Sequence, residues 1–101
     1  MPEIDKEASR VWRSRLREVL NRDWDPLGVT KGRPADDEYE VYEGKVAAML
    51  RDHASDEELL AYLKWAEVEN IGLGSGAQFD EIRKPRILQI IATLREVGPP
   101  P

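Results

Sequence analysis

The sequence predicts an all-α fold, namely a single small four-helix bundle, and two observations lead to this prediction. Four segments repeat apolar residues every three or four positions, and none alternates apolar and polar residues as a strand would. The chain has 101 residues, the length of one domain, and its 41% hydrophobic content is too high for a disordered chain. It contains no cysteine, which excludes disulfides and cysteine-ligated zinc. We therefore expect one domain over residues 1–101, with helices at about 5–21, 37–53, 55–71 and 81–97.

The first two helices are predicted from their apolar stripes. In the first helix the stripe comprises Ala8, Val11, Trp12, Leu16, Val19 and Leu20. In the second helix it comprises Tyr39, Tyr42, Val46, Met49 and Leu50. Asp37 and Glu40 have the three-residue spacing of a capping box, so we expect the second helix to begin there.

Capping residues mark the third and fourth helices. Ser55 and Glu58 have the spacing of a capping box, and Gly72 is a suitable C-cap for the helix that follows Ser55. The apolar positions of the third helix are Leu59, Tyr62, Leu63 and Ala66. Those of the fourth helix are Ile87, Leu88, Ile91 and Leu94. Pro85 fits the first turn of the fourth helix, where a missing N–H is tolerated, and Gly98 ends that helix.

Two connections between helices differ in how strongly their sequences specify a structure. Residues 21–36 form a long loop in which Asp25, Pro26 and Gly28 occupy the positions that they prefer in a type I turn. The connection over residues 72–79 contains three glycines, which predicts a mobile loop.

Charge is distributed unevenly along the chain. The net charge is −5, but residues 23–69 alone carry −8 and lie between two segments of mild positive charge. One interpretation is complementarity among packed helices, and the other is an acidic face for a basic partner. An acidic chain argues against a nucleic-acid partner, although five arginines lie in residues 10–22.

Little in the sequence points to catalysis or to a metal site. The single histidine, His53, falls on the apolar face at the end of the second helix, where a dipole-stabilised histidine is expected rather than a ligand. The carboxylates at the start of that helix are Asp36, Asp37, Glu38 and Glu40. Such carboxylates are more often caps than magnesium ligands. Glu67 and Glu69 lie on different helix faces and form no catalytic pair, so we expect no cofactor, no metal and no enzymatic activity.

Arg15 is the one arginine of the first helix that the helical projection places within the apolar arc, near Val11 and Val19. A buried guanidinium needs a carboxylate or carbonyl partner. We therefore expect Arg15 to be buried and to pair with Asp25 or Asp37.

The three tryptophans have different predicted roles. Trp12 lies on the core stripe, and Trp24 is expected to pack the long loop onto the helices. Trp65 lies beside Tyr62, about 100° from the centre of the apolar face of its helix. Glu58 and Glu69 flank this aromatic pair. Either the pair is an exposed interface hot spot rimmed by acids, or the fourth helix or the glycine-rich loop covers it.

Three short motifs occur in order along the chain: Trp24, Asp25, Pro26, Leu27, Gly28 and Val29, then Asp37, Glu38, Tyr39, Glu40 and Tyr42, then the helix start from Ser55 to Glu58. Through these motifs, residues 15–70 resemble a family of small bacterial all-helical proteins of uncharacterised function. The family pairs a WDP-Ile/Leu-G loop with a DEYD-type helix start, and this chain departs from it with Glu40 in place of Asp. The resemblance implies a compact helical fold and supplies no catalytic residue.

The function expected from these features is a non-enzymatic protein-interaction module in the cytoplasm, with a basic protein partner and no membrane. The expected binding residues are Asp36, Glu38, Glu58, Tyr62, Trp65 and Glu69. An immunity-like or inhibitor-like role is the specific form, by analogy with small acidic helical proteins that neutralise bacterial toxins. The alternative is a ligand- or metal-binding domain or enzyme that uses the corner formed by Asp25, Asp37 and Tyr39. A homodimer that hides Trp65 is a third arrangement.

Overall fold

The computed structural model describes residues 6–24 and 40–101, and within these ranges it contains four helices and no strand. The predicted all-α bundle is therefore confirmed. Helix α1 is Lys6–Val19, extended by a π-helical turn at Leu20–Trp24, and α2 is Glu40–Arg51. Helix α3 is Asp56–Trp65, extended by a π-helical turn at Ala66–Ile71. Helix α4 comprises an α-helical turn Gly76–Gln78, a π-helical turn Phe79–Arg83 and the α-helical segment Lys84–Glu96.

Two capping boxes fix where α3 and α4 begin. The predicted box at Ser55 is confirmed, because its hydroxyl accepts the Glu58 N–H and the Glu58 carboxylate accepts the Ser55 N–H, both at 3.1 Å. A second box, which the sequence analysis missed, joins Ser75 and Gln78 in the same way. Helix α4 therefore begins at Gly76, five residues before its predicted start, and the expected glycine-rich loop is shorter than predicted.

The end of α3 and the middle of α4 depart from α-helical geometry for identifiable reasons. Gly72 ends α3 in the left-handed region, with φ 85°, as predicted for a C-cap. In α4 the Lys84 N–H bonds the Phe79 carbonyl, five residues back, immediately before Pro85. Proline has no N–H and crowds the carbonyl four residues earlier, so the wider π-helical turn accommodates it. Pro85 lies in the first turn of the α-helical segment Lys84–Glu96, as predicted, and that segment follows directly on the π-helical turn.

One hydrophobic core joins the four helices. Its buried members are Trp12, Leu16, Val19, Leu20, Trp24, Tyr42, Val46, Ala47, Leu50, Ala54, Leu59, Leu63, Ala66, Phe79, Ile87, Ile90, Ile91 and Leu94. Most of the predicted stripes are in this set. Val11 and Leu88 are exposed instead, because they lie at the edges of their stripes and face away from the neighbouring helices.

The expected position of His53 on the apolar face of α2 is wrong. The helix ends at Arg51, and His53 is exposed in the turn that follows, with φ 60°. The Ala54 N–H then bonds the Met49 carbonyl at 2.9 Å, which directs Ala54 rather than His53 into the core. Within the described ranges, no helix is long and apolar enough to cross a membrane.

Candidate functional site

Four side chains of α3 form one exposed stripe, which we call the α3 surface: Glu58, Tyr62, Trp65 and Glu69. Their spacing of four, three and four residues keeps them on one side of the helix. Trp65 is 47% exposed, Tyr62 is half-buried, and both glutamates are exposed. Neither α4 nor the loop before it covers Trp65 completely. Trp65 is therefore half-exposed, as the first of the two predicted arrangements requires.

The two aromatic rings of the α3 surface stack on each other. Their centroids are 5.8 Å apart and their planes differ by 24°. Burial, with a smaller contribution from Tyr42, raises the pKa of Tyr62 to about 12. The phenol therefore stays protonated at physiological pH, and the stack offers a neutral aromatic platform between two carboxylates.

Directly behind this stripe, α3 carries a buried carboxylate. Glu67 lies two residues after Trp65, in the π-helical turn that ends α3, and it is buried whereas Trp65 is half-exposed. Its Oε1 accepts the Arg83 Nε–H at 2.9 Å, and its Oε2 accepts the Trp24 Nε1–H at 2.9 Å and an Arg83 Nη2–H at 3.1 Å. We call Trp24, Glu67 and Arg83 the Glu67 cluster.

Each member of the Glu67 cluster lies on a different π-helical turn. Trp24 ends the turn of α1, Glu67 lies in the turn of α3, and Arg83 ends the turn of α4. A π-helical turn rotates the side chains after it relative to an α-helix, so all three helices carry local distortions where they meet. The cluster is thus the junction of α1, α3 and α4.

Tyr42 is buried, as its place on the apolar stripe predicts, whereas Trp24 differs from the prediction. Trp24 belongs to α1 rather than to the loop, and its ring meets Tyr42 edge-on at 5.3 Å. The Asn70 side-chain amide donates to the Tyr42 hydroxyl at 2.7 Å, which links α2 to the end of α3.

The expectation that Arg15 is buried is wrong, because Arg15 is exposed. The α1 arginines that pair with another helix, among the described residues, are Arg13 and Arg17, which donate to the buried Glu43 carboxylate of α2. Helix α2 packs against the side of α1 that carries these two residues, whereas Arg15 shares the exposed side with Val11. A sequence signal existed: Glu43 lies four residues before Ala47 on the buried face of α2.

The remaining predicted site residues lie outside the described residues: Asp25, Pro26, Gly28, Asp36, Asp37, Glu38 and Tyr39. The corner of the alternative function therefore remains a prediction. Within residues 6–24 and 40–101, no three histidine, aspartate or glutamate side chains are grouped as metal ligands would be.

No protein-family model, curated protein or solved structure matches this chain. The resemblance of residues 15–70 to a family of small bacterial helical proteins therefore stays a prediction.

Proposed function

We propose that this chain is a non-enzymatic protein-interaction module that binds a basic partner through the α3 surface. The observation that carries the proposal is the stacked pair of Tyr62 and the half-exposed Trp65 on that surface. An immunity-like or inhibitor-like role, in which the surface covers a basic site on the partner, is its most specific form.

The aromatic pair has the properties of a binding hot spot. Tryptophan and tyrosine dominate the energetics of protein interfaces because they bury a large area with few rotatable bonds. Since Tyr62 already holds the Trp65 ring in place, little further ordering is needed when a partner binds. Half of Trp65 remains in contact with water, so a partner gains free energy by covering it.

The charges around the aromatic pair favour a cationic partner. Glu58 and Glu69 lie at the two ends of the stripe, and residues 23–69 carry a net charge of −8. An arginine or lysine of the partner can lie over the Trp65 ring while its charge faces a carboxylate. Such a contact combines a cation–π interaction with an ion pair and is weakened by salt.

The test is capture of the partner by tagged full-length protein, followed by measurement of its affinity for wild type, Trp65→Ala and Leu88→Ala. Leu88 is a matched control because it is an exposed apolar residue that belongs to α4 rather than to α3. We expect a basic partner that binds Trp65→Ala on the order of 30-fold more weakly, the effect of losing a hot spot. Leu88→Ala should bind like wild type. Equal affinity of wild type and Trp65→Ala would contradict the proposal.

A further inference from the structure

A cavity of about 370 Å³ lies beside the Glu67 cluster, between the end of α3 and the start of α4. This volume is within the range of sites for small molecules. None of the residues that line the cavity belongs to the α3 surface, so the two are separate. The proposed function of the α3 surface therefore does not account for this cavity.

The walls of the cavity are mainly apolar. Phe79 is buried at its inner side, and Leu73 and Ile82 line it while remaining open to solvent. Ile82 is 68% exposed, the second largest exposure among the large apolar residues that the structure describes. A ligand in the cavity would cover part of this apolar area, which favours binding.

One edge of the Arg83 guanidinium remains open. Glu67 binds the Nε and Nη2 edge, and within the described residues Arg83 has no other hydrogen-bond partner. A guanidinium carries five N–H donors in a plane, so the Nη1 group and one Nη2 hydrogen remain for a second acceptor. The Arg83 side chain lines the cavity and is 33% exposed, so a ligand in the cavity meets it.

The guanidinium is also held in a fixed orientation. Glu67 is tied to Trp24 through its side chain, and its carbonyl accepts the N–H groups of both Gly72 and Leu73. A carboxylate that is itself fixed keeps Arg83 in one position, as binding sites require.

We propose that this cavity binds a small apolar carboxylic acid. The ligand carboxylate accepts the free N–H groups of Arg83, and its hydrocarbon or aromatic body packs on Leu73, Phe79 and Ile82. An arginine between two carboxylates uses two different edges of the guanidinium, so the bond to Glu67 persists when the ligand is present.

The test is an NMR titration of the full chain with 3-phenylpropionate and, in parallel, with the uncharged 3-phenylpropanol. The reporter is the Trp24 indole N–H signal, assigned by its loss in Trp24→Phe. We expect the acid to shift this signal saturably. The alcohol should bind at least about tenfold more weakly, because it cannot form charged hydrogen bonds with Arg83. The Trp65 signal should not shift.

Two matched variants locate the site. Ile82→Glu places a carboxylate at the cavity wall and should weaken binding of the acid by about tenfold or more. Leu88→Glu makes the same charge change at another exposed position of α4 and should bind like wild type. Both positions are exposed, so both variants should fold, which circular dichroism verifies. The proposal is overturned by an absent shift, by equal affinity for acid and alcohol, or by unchanged binding in Ile82→Glu.

Discussion

Glu43 and Glu67 are both buried glutamates that pair with arginine, yet their surroundings differ. Glu43 accepts hydrogen bonds from Arg13 and Arg17, two cations one turn apart on α1. Glu67 accepts them from one cation, Arg83 of α4, and from the neutral indole of Trp24 at the end of α1. The first site joins two helices, and the second joins three.

The difference shows what each carboxylate does for the fold. The Arg13 and Arg17 side chains are 42% and 40% exposed, so water can solvate both if Glu43 is lost. Trp24 is buried, so the loss of Glu67 removes an acceptor from a donor that is far less accessible to water than the two arginines. A buried donor that loses its acceptor lowers the free energy of unfolding far more than an exposed donor does. We therefore conclude that Glu67 contributes more to stability than Glu43.

The largest expected effect is that of Glu67→Ala. This change removes the carboxylate that accepts from the Trp24 indole N–H and from Arg83, and it leaves empty space where the side chain was. Because Arg83 is partly exposed, we expect a loss of about 3 kcal/mol in the free energy of unfolding, the lower end of the range for broken buried pairs. Urea denaturation measures it. Glu67→Gln is the control. It keeps an oxygen acceptor and should lower the free energy of unfolding less than Glu67→Ala does.

Glu43→Ala should have a smaller effect. It leaves two partly exposed arginines that regain hydration but repel each other at a spacing of four residues. We expect a loss of about 1–2 kcal/mol, measured in the same urea experiment. If Glu43→Ala proves as destabilising as Glu67→Ala, the difference that we draw between the two sites is incorrect.

Trp24→Phe separates the hydrogen bond at Glu67 from the packing around it. The phenyl ring retains much of the contact with Tyr42, while the donor to Glu67 is lost. We expect the free energy of unfolding to fall by about 1–2 kcal/mol, because the variant loses one charge-assisted hydrogen bond and has a smaller ring. Thermal unfolding followed by circular dichroism detects a loss of this size. An unchanged melting temperature would mean that the indole hydrogen bond contributes nothing.

The smallest expected effect distinguishes the arginines of α1. Arg15→Met should change the free energy of unfolding by less than about 0.5 kcal/mol because Arg15 is exposed. Arg13→Met should cost about 1 kcal/mol, since it removes the two hydrogen bonds from Arg13 to Glu43. Comparing the two unfolding curves checks the assignment, and the reverse order would show that Arg15 is the buried partner after all.

Much of the fold could be predicted from the sequence because local chemistry specifies it. The apolar stripes of α3 and α4 and the Ser55 capping box depend on residues three or four positions apart. The half-exposed position of Trp65 follows from the same periodicity. The early start of α4 was missed because the three glycines concealed the capping box of Ser75 and Gln78.

The Glu67 cluster could not be assembled from the sequence in the same way. Signals were present: Trp24 continues the four-residue spacing of Leu16 and Leu20, and Arg83 lies four residues before Ile87 on the buried side of α4. Projection on an ideal α-helix nevertheless misplaces residues near the π-helical turns. Choosing Arg83 as the partner of Glu67 also requires the packing of α3 on α4, which no local pattern specifies.

A double-mutant cycle between Trp24→Phe and Glu67→Ala tests most directly whether the Glu67 carboxylate joins α1 to α3. Unfolding free energies of the wild type, both single variants and the double variant give the coupling between the two side chains. We predict a coupling of about 1 kcal/mol or more, because the second substitution removes a hydrogen bond that the first has already broken. Additive effects, within about 0.3 kcal/mol, would contradict this account of the junction.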